Sequence, residues 1–360
     1  MMNTLSRKYH LAEKEVFVDG LPGCGKTLFS SLISSMDRVE LLSYSYEVEH
    51  TCALHHLKKL PIDAAKTMVR LQTDLKLYNT MMGRDVNFRS TDLSSAINSH
   101  NPSRYIQRIF GPGDEKVPEI IRKENPILNF SVHNLLSYSE PIWRALKERC
   151  VFIEIVRHPL YMIRQQALNM SSLLETVRHF TVYYTYKGRE LPYYVKGWEE
   201  EYLNSNSVER AIHMMDYLNN QTKIAKKKFK EEFQFQSKII TIPFENFVLN
   251  PNPWMDEISD IIGANILEGT QKMMDRQNVP RKLVADGLDI EIYRRCGWTP
   301  PQNGATERDE LNVRREDAIR GISSEAIDII DKLSNEYEDT YWNPGADSDK
   351  NRSVNYNEEF

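Results

Sequence analysis

The stretch Glu15–Met36, EVFVDGLPGCGKTLFSSLISSM, restricts the fold more than any other part of the chain. Val16, Phe17 and Val18 form a short β-branched and aromatic run, the composition of a buried strand. Gly20-Leu-Pro-Gly23-Cys-Gly25-Lys26-Thr27 follows, and Leu28, Phe29, Leu32, Ile33 and Met36 then recur at helical spacing. The predicted order is strand, glycine loop, helix. An anion can sit against several backbone N–H groups at once only where the chain curls tightly and no side chain blocks the approach, which calls for glycine. The helix starting near Lys26 adds unpaired N–H groups and the positive end of its dipole, Lys26 adds a point charge and Thr27 a hydroxyl. The segment satisfies the full GxxxxGK[ST] pattern. A phosphate-binding site is expected, formed by Gly23, Cys24, Gly25, Lys26, Thr27 and Leu28.

The 360 residues are enough for a sizeable core, and a composition 41% apolar and 27% charged is that of a soluble globular protein. The net charge of -5 argues against a general nucleic-acid binder. No run of about 18 apolar residues occurs and the first fifteen residues lack a signal-peptide core, so no membrane association is expected. Cys24, Cys52, Cys150 and Cys296 are widely separated and lack the spacing of a zinc site or a disulfide framework. They read as free thiols in a reducing, cytoplasmic setting.

Further along, Val39–Tyr46 is expected as a second strand and Pro61–Met82 as a strong helix closed by Gly83. Arg84–Pro118 has loop chemistry around one short helix near Arg104–Phe110. Pro126–Val132 reads as a strand ending at His133, Ser139–Arg149 as a helix, and Val151–Val156 as a buried strand terminated by Arg157-His158-Pro159. Strand, helix, strand at this spacing is a βαβ unit. Phe180–Val195 crowds aromatic residues around a Lys187-Gly188 turn and predicts a hairpin. Val208–Phe229 is a long helix with a basic end, Lys223–Lys230, read as a solvated face. Lys238–Ile242 is another buried strand, Trp254–Gly263 a helix, Lys272–Arg320 a basic and polar region, and Ser323–Tyr337 the last helix. The pattern predicts an α/β fold with a mostly parallel sheet flanked by helices, a three-layer α/β/α arrangement of P-loop NTPase type. Residues 1–342 form a single domain in this reading, with an aromatic hairpin insert at about 180–200 and a disordered tail over 343–360. The glycine loop, His133 and Arg157 all follow carboxyl ends of strands, where such sheets bind ligands.

With these residues in place, the chain resembles the sulfotransferases that use 3'-phosphoadenosine 5'-phosphosulfate (PAPS). Three segments carry the likeness. Val16–Met36 stands where that family has its strand, phosphosulfate loop and helix, and Phe152-Ile-Glu-Ile-Val-Arg157-His158-Pro159 is similar to its strand ending in Arg-Asn-Pro. Ile239–Phe247 with Asn250-Pro251 and the helix to Gly263 is similar to its later Tyr-Glu-Asp-Leu turn and helix. The family's loop cation stands directly after the proline; here that place is Gly23 and the cation is Lys26, as in nucleotide-hydrolysing P-loop proteins. Gln165 stands where the family has a serine, and Ser131-Val132 where cytosolic members have Lys-Thr before the catalytic histidine.

The resemblance implies an in-line transfer of a sulfuryl group from PAPS to a hydroxyl or amine of a small-molecule or glycan acceptor. It casts the loop amides, Lys26 and Thr27 as holding the 5'-phosphosulfate, Lys26 and His133 as catalytic, and His133 as the base. Arg157 with Gln165 would bind the 3'-phosphate, a guanidinium expected two strands away from the loop. Glu245 is read as a turn residue, and Arg294 with Arg295 as a surface pair or a late cover for the phosphates. Two other readings stay open. Lys26-Thr27 suits an ATP- or GTP-dependent kinase or NTPase, although that chemistry also needs an acidic Mg²⁺ ligand ending a second buried strand, and the best buried strands end in His133, Arg157 and Pro243. A non-catalytic nucleotide-binding interaction module is the third, with the aromatic hairpin as its surface. No metal ligands are assigned.

Overall fold

A computed structural model of the chain describes residues 4–173, 176–177, 179–232, 238–285, 304–342 and 344. Five parallel strands form the central sheet: β1 (Glu15–Asp19), β2 (Val39–Tyr44), β3 (Ile127–Ser131), β4 (Cys150–Val156) and, after two short hairpin strands, β7 (Lys238–Pro243). Their spatial order is β2-β3-β1-β4-β7. Val18 pairs with Ser131 on one side and Ile153 on the other, which makes β1 the centre of the sheet. All five residues of β1 are buried, as an apolar run covered on both faces requires.

Side chains alternate across the pleat and divide the core in two. Val16, Val18, Ile153, Ile155, Ile240 and Ile242 face α1 (Lys26–Ile33) and the helices that follow β7, among them α11 (Asn252–Ile262) and α12 (Glu268–Arg276). Phe17, Phe130 and Phe152 stack at 5.1 Å centroid spacing on the opposite face, over Trp143 of α6 (Glu140–Leu146) and Phe229 of α9 (Ser207–Glu232). The chain leaves β1 through α1 on one face and passes from β3 to β4 through α6 on the other. That change of face beside β1 is the switch point at which open α/β sheets bind ligands. The predicted three-layer α/β/α architecture is the observed one. One detail differs: β4, which delivers Arg157, lies directly beside β1 and not two strands away.

Between these strands lie α2 (Tyr46–His56), α3 (Ile62–Met81), α4 (Pro102–Ile109), α5 (Val117–Glu124), α7 (Pro159–Leu168) and α8 (Glu199–Asn204), and α10 (Phe244–Leu249) follows β7 directly. Two later helices, α13 (Glu307–Ala318) and α14 (Ser324–Thr340), close the described chain. The hairpin is present as β5 (Tyr183–Tyr186) and β6 (Arg189–Pro192), antiparallel, with Lys187 and Gly188 both at positive φ in the turn. Helix α2 takes over at Tyr46, the expected end of the second strand, and α5 begins at Val117, inside the expected loop region Arg84–Pro118. The lysine-rich end of α9 is only partly a solvated face: Lys226 turns inward, donating to Glu154 and to Thr241 at 2.8 Å. Arg294, Arg295 and Cys296 lie outside the described residues, as does residue 343 with 345–360 of the expected tail. Cys24, Cys52 and Cys150 are free and buried. Among the described residues no helix is long and apolar enough to cross a membrane.

Candidate functional site

The loop after β1 is shaped by close approach. Gly20 has φ +147°, and a Cβ there would lie 2.5 Å from the Ile155 carbonyl oxygen of β4. Gly25, the N-cap of α1 at φ +98°, would place a Cβ 2.2 Å from the Phe244 ring. No other residue type fits either position. The Gly25 N-cap has no side-chain hydrogen bond and no acidic residue occupies the first turn of α1, while the Leu28 N–H already donates to the Gly25 carbonyl at 2.9 Å, so the positive end of the dipole is open to an anion. Lys26 is buried, and its Nζ folds back to 3.4 Å from the Gly20 carbonyl oxygen.

Asp19, the last residue of β1, ties the loop to the turn after β3. Its carboxylate accepts from the Leu135 N–H at 2.9 Å and the Leu136 N–H at 2.6 Å. Burial raises its pKa, and those two amides offset part of the rise. This tether fixes His133, two residues past β3. Glu49 of α2 accepts from both the His133 backbone N–H and Nδ1, each at 3.1 Å. A carboxylate only accepts, so the Nδ1 proton is defined and Nε2 is left as the basic nitrogen. The Tyr44 and Tyr46 rings lie within 16° of parallel to the imidazole at 6.3 and 6.2 Å. Tyr44 also meets the Thr27 hydroxyl, so loop, phenol and imidazole form one row.

Arg157 lies one residue past β4 and is 8% exposed. Its Nη1 donates to the Gly23 carbonyl at 2.9 Å, while its buried Nε has no hydrogen-bond partner and stands 3.9 Å from Glu245. The guanidinium lies over Phe244 at 4.3 Å and Tyr161 at 5.1 Å. Two further guanidiniums share these rings: Arg314 over Tyr161 at 4.6 Å and Arg281 over Phe244 at 5.5 Å. Burial lowers the pKa of Arg314, and Arg157 adds to the effect. Three guanidiniums converge here around two aromatic faces, with Arg314 paired to Glu310 at 2.7 Å and Arg157 beside Glu245, so their charge is partly balanced. Glu245 accepts from the His158 N–H at 3.1 Å and from the Tyr337 hydroxyl, which makes it the brace of this strand end, as its reading as a turn residue implied.

Two cavities open at this rim. One, of about 240 Å³, is lined by Gly20, Leu21, Cys24, Arg157, Met215 and Tyr337 among others. The second, of about 180 Å³, is lined by His133, Glu49, Tyr46, Phe180, Tyr193 and Tyr194 among others. Leu21 and Asn134 belong to both walls. The structure thus brings the loop, His133 and Arg157 to one place. Gly23, Gly25, Lys26, Thr27, Leu28 and Gln165 line neither cavity. Gln165 instead rests against Gly23, its Oε1 3.2 Å from where a Cβ would stand, away from the Arg157 chamber. Its neighbour Gln166, buried, donates to the Pro22 carbonyl and lines the His133 cavity. Glu49, Gln166, Arg281 and Arg314 were not legible beforehand, because none belongs to a motif or a periodic pattern.

Two carboxylates stand near the loop. Asp19 is bonded as described, and Glu154 accepts from Lys226 and, at 2.6 Å, from Thr241. Among the described residues no three His, Cys, Asp or Glu side chains are grouped to hold a metal ion.

No model of a known protein family matches the chain. No curated protein matches it either. Solved structures with a similar course of the chain include the sulfotransferase domain from the curacin biosynthetic pathway, 12% identical with a TM-score of 0.45, covering 91% of this chain and 99% of that one. The sulfotransferase domain from the Synechococcus PCC 7002 olefin synthase is 11% identical with a TM-score of 0.44, covering 93% and 98%. Sulfotransferase STF9 from Mycobacterium avium is 13% identical at 0.41, covering 92% and 78%. Similarity this distant leaves the function to be read from the site.

Proposed function

We propose that the chain is a sulfotransferase that moves a sulfuryl group from PAPS to a hydroxyl, or an amine, of a small acceptor. The observation that carries this reading is the pair of cavities meeting at Leu21 and Asn134 beside the glycine loop, one reaching Arg157 and the other His133. Sulfuryl transfer asks for alignment and charge stabilisation on the donor side and a proton acceptor on the other, which is how the side chains are distributed.

The residues present fit a doubly anionic nucleotide. Arg157 keeps a buried Nε without a partner, and the uncapped first turn of α1 offers N–H groups to a phosphate. PAPS would supply the activated sulfuryl group. On the chain's side, the loop amides with Lys26 and Thr27 hold the phosphosulfate end and neutralise the charge that develops there. Arg157, with Arg314 and Arg281 behind the same rings, holds the 3'-phosphate through charge-assisted hydrogen bonds. His133 Nε2 takes the acceptor proton as the acceptor oxygen bonds to sulfur, and Glu49 faces the resulting imidazolium. The aromatic walls around His133 suit a ring-bearing acceptor.

Lys26-Thr27 favours a kinase or NTPase as the second reading, in which a Mg²⁺ carboxylate is needed at the loop. Asp19, Glu154 and Glu336 are the carboxylates that line the larger cavity among the described residues, and all three are engaged with protein donors. Thermal-shift measurements separate the two, because a ligand specific for the folded state raises Tm. Stabilisation by 3'-phosphoadenosine 5'-phosphate and not by ATP with Mg²⁺ is expected; the reverse result would replace the sulfotransferase reading.

A further inference from the structure

Helix α2 presents Tyr46, Glu49 and His50 at i, i+3 and i+4, the spacing of one helical face, and Tyr46 and Glu49 line the acceptor cavity. Tyr46 lies near-parallel to the His133 ring, Glu49 binds that ring, and His50 Nε2 meets the Phe180 carbonyl oxygen at 2.9 Å. The same helix is seated by buried Val48, Cys52 and Ala53. Its first turn is therefore a fixed wall of the cavity, and among the described residues Glu49 is the one carboxylate lining it.

We propose that Glu49 is the positioning residue of His133, setting the tautomer and plane of the imidazole so that Nε2 receives the acceptor proton. The proposal rests on the sulfotransferase reading for its kinetic consequence, and on the geometry alone for its structural one. Glu49 Oε1 accepts two N–H groups of one residue, the backbone amide and Nδ1. The backbone amide cannot rotate, so it pins the oxygen, and the oxygen in turn pins the ring. Without it, the imidazole is free to carry its proton on Nε2, where it cannot act as a base.

The proton balance follows directly. The acceptor O–H proton passes to Nε2, the acceptor oxygen forms the new bond to sulfur, and the breaking S–O bond leaves its electron pair on the nucleotide phosphate. The ring then carries protons on both nitrogens, and Glu49 accepts from the Nδ1–H of the imidazolium, as the third member of a hydrolase triad does. The other groups facing His133 are unsuited to that role. Burial raises the Tyr44 and Tyr46 phenols above their ordinary value, and burial lowers His179, with His133 adding to it.

The backbone amide also predicts which substitution is tolerated. In Glu49→Gln the amide oxygen, not the NH₂, must face the His133 N–H, so the Nδ1 acceptor is kept. Glu49→Ala removes it. Ring-nitrogen NMR of the whole protein reads the tautomer, with the His133 signals among the nine histidines assigned by their loss in His133→Gln. The expected result is the Nδ1–H form in the wild type and in Glu49→Gln, and a shift towards Nε2–H in Glu49→Ala. Where sulfuryl transfer is measured, Glu49→Ala lowers kcat by about 10- to 100-fold, Glu49→Gln restores most of it, and the donor KM stays unchanged.

A wild-type His133 found in the Nε2–H form would overturn the proposal without any variant, as would an unchanged tautomer in Glu49→Ala. A protein with the expected tautomers that transfers no sulfuryl group would instead refute the sulfotransferase reading and leave the positioning role standing.

Discussion

Arg157 and His133 divide the proposed chemistry between them, and each makes a separable prediction. Arg157→Ala should weaken 3'-phosphoadenosine 5'-phosphate by about 10- to 100-fold, the worth of charge-assisted hydrogen bonds, and 5'-AMP far less. Calorimetric titration of both nucleotides checks this, and equal losses would place the 3'-phosphate elsewhere. His133→Ala should keep the nucleotide affinity and lose about 10²- to 10⁴-fold in transfer, the range of general base catalysis. Undiminished transfer would move the base to another group. His133 and Arg157 were legible in the sequence because each follows a short buried run whose end is easily placed. Their partners were not. Glu49 is one of several acidic residues in a weakly patterned stretch, and Arg281 and Arg314 reach Arg157's rings from segments far along the chain that share no motif with it.

Elements were legible where punctuation and period agreed. The loop and α1 were, since glycines at enforced positive φ are followed by a regular apolar face. Helix α2 was not: Tyr46–His56 contains three histidines and two glutamates in its eleven residues, and only tertiary burial of Val48, Cys52 and Ala53 holds it. Helix α5 begins inside the stretch Arg84–Pro118, to which Gly111-Pro112-Gly113 gives loop chemistry; Pro118 sits in its first helical turn, where its missing N–H costs nothing. The loop's dependence on close approach gives a prediction at this scale. Gly25→Ala forces a Cβ into the Phe244 ring, which is itself buried, and strains the backbone. It should destabilise the protein by about 2–4 kcal/mol in chemical denaturation. A neutral substitution would mean that Phe244 is not held against the loop.

For the whole molecule, the sheet order follows from alternating strands and helices, whereas the two ends of its stability range depend on buried charges that no pattern revealed. Glu15 at the start of β1 is fully buried; burial raises its carboxyl to about 8, with Arg149 offsetting part of the rise. A folded-state value above the unfolded one means that the folded form binds the proton more tightly. Its contribution is complete below about 4.5 and is lost as pH rises through about 8. Glu338, joining α14 to His158 and Arg308, behaves oppositely. Burial pushes it up, but hydrogen bonds from His158 and Arg308 outweigh that and hold it at about 2. Its contribution is present above about 4.5 and lost as pH falls towards 2. Tm should therefore fall as pH rises from about 4.5 to about 8, and Glu15→Gln should flatten that limb while leaving the limb towards pH 2 intact. An unchanged fall between about 4.5 and 8 in Glu15→Gln would show that another group sets it. The central claim is tested most directly by incubating the protein with radiolabelled PAPS and a panel of ring-bearing hydroxyl acceptors. The account predicts a labelled acceptor that is lost in His133→Ala; no labelled product from any acceptor, together with phosphoryl transfer from ATP and Mg²⁺, would contradict it.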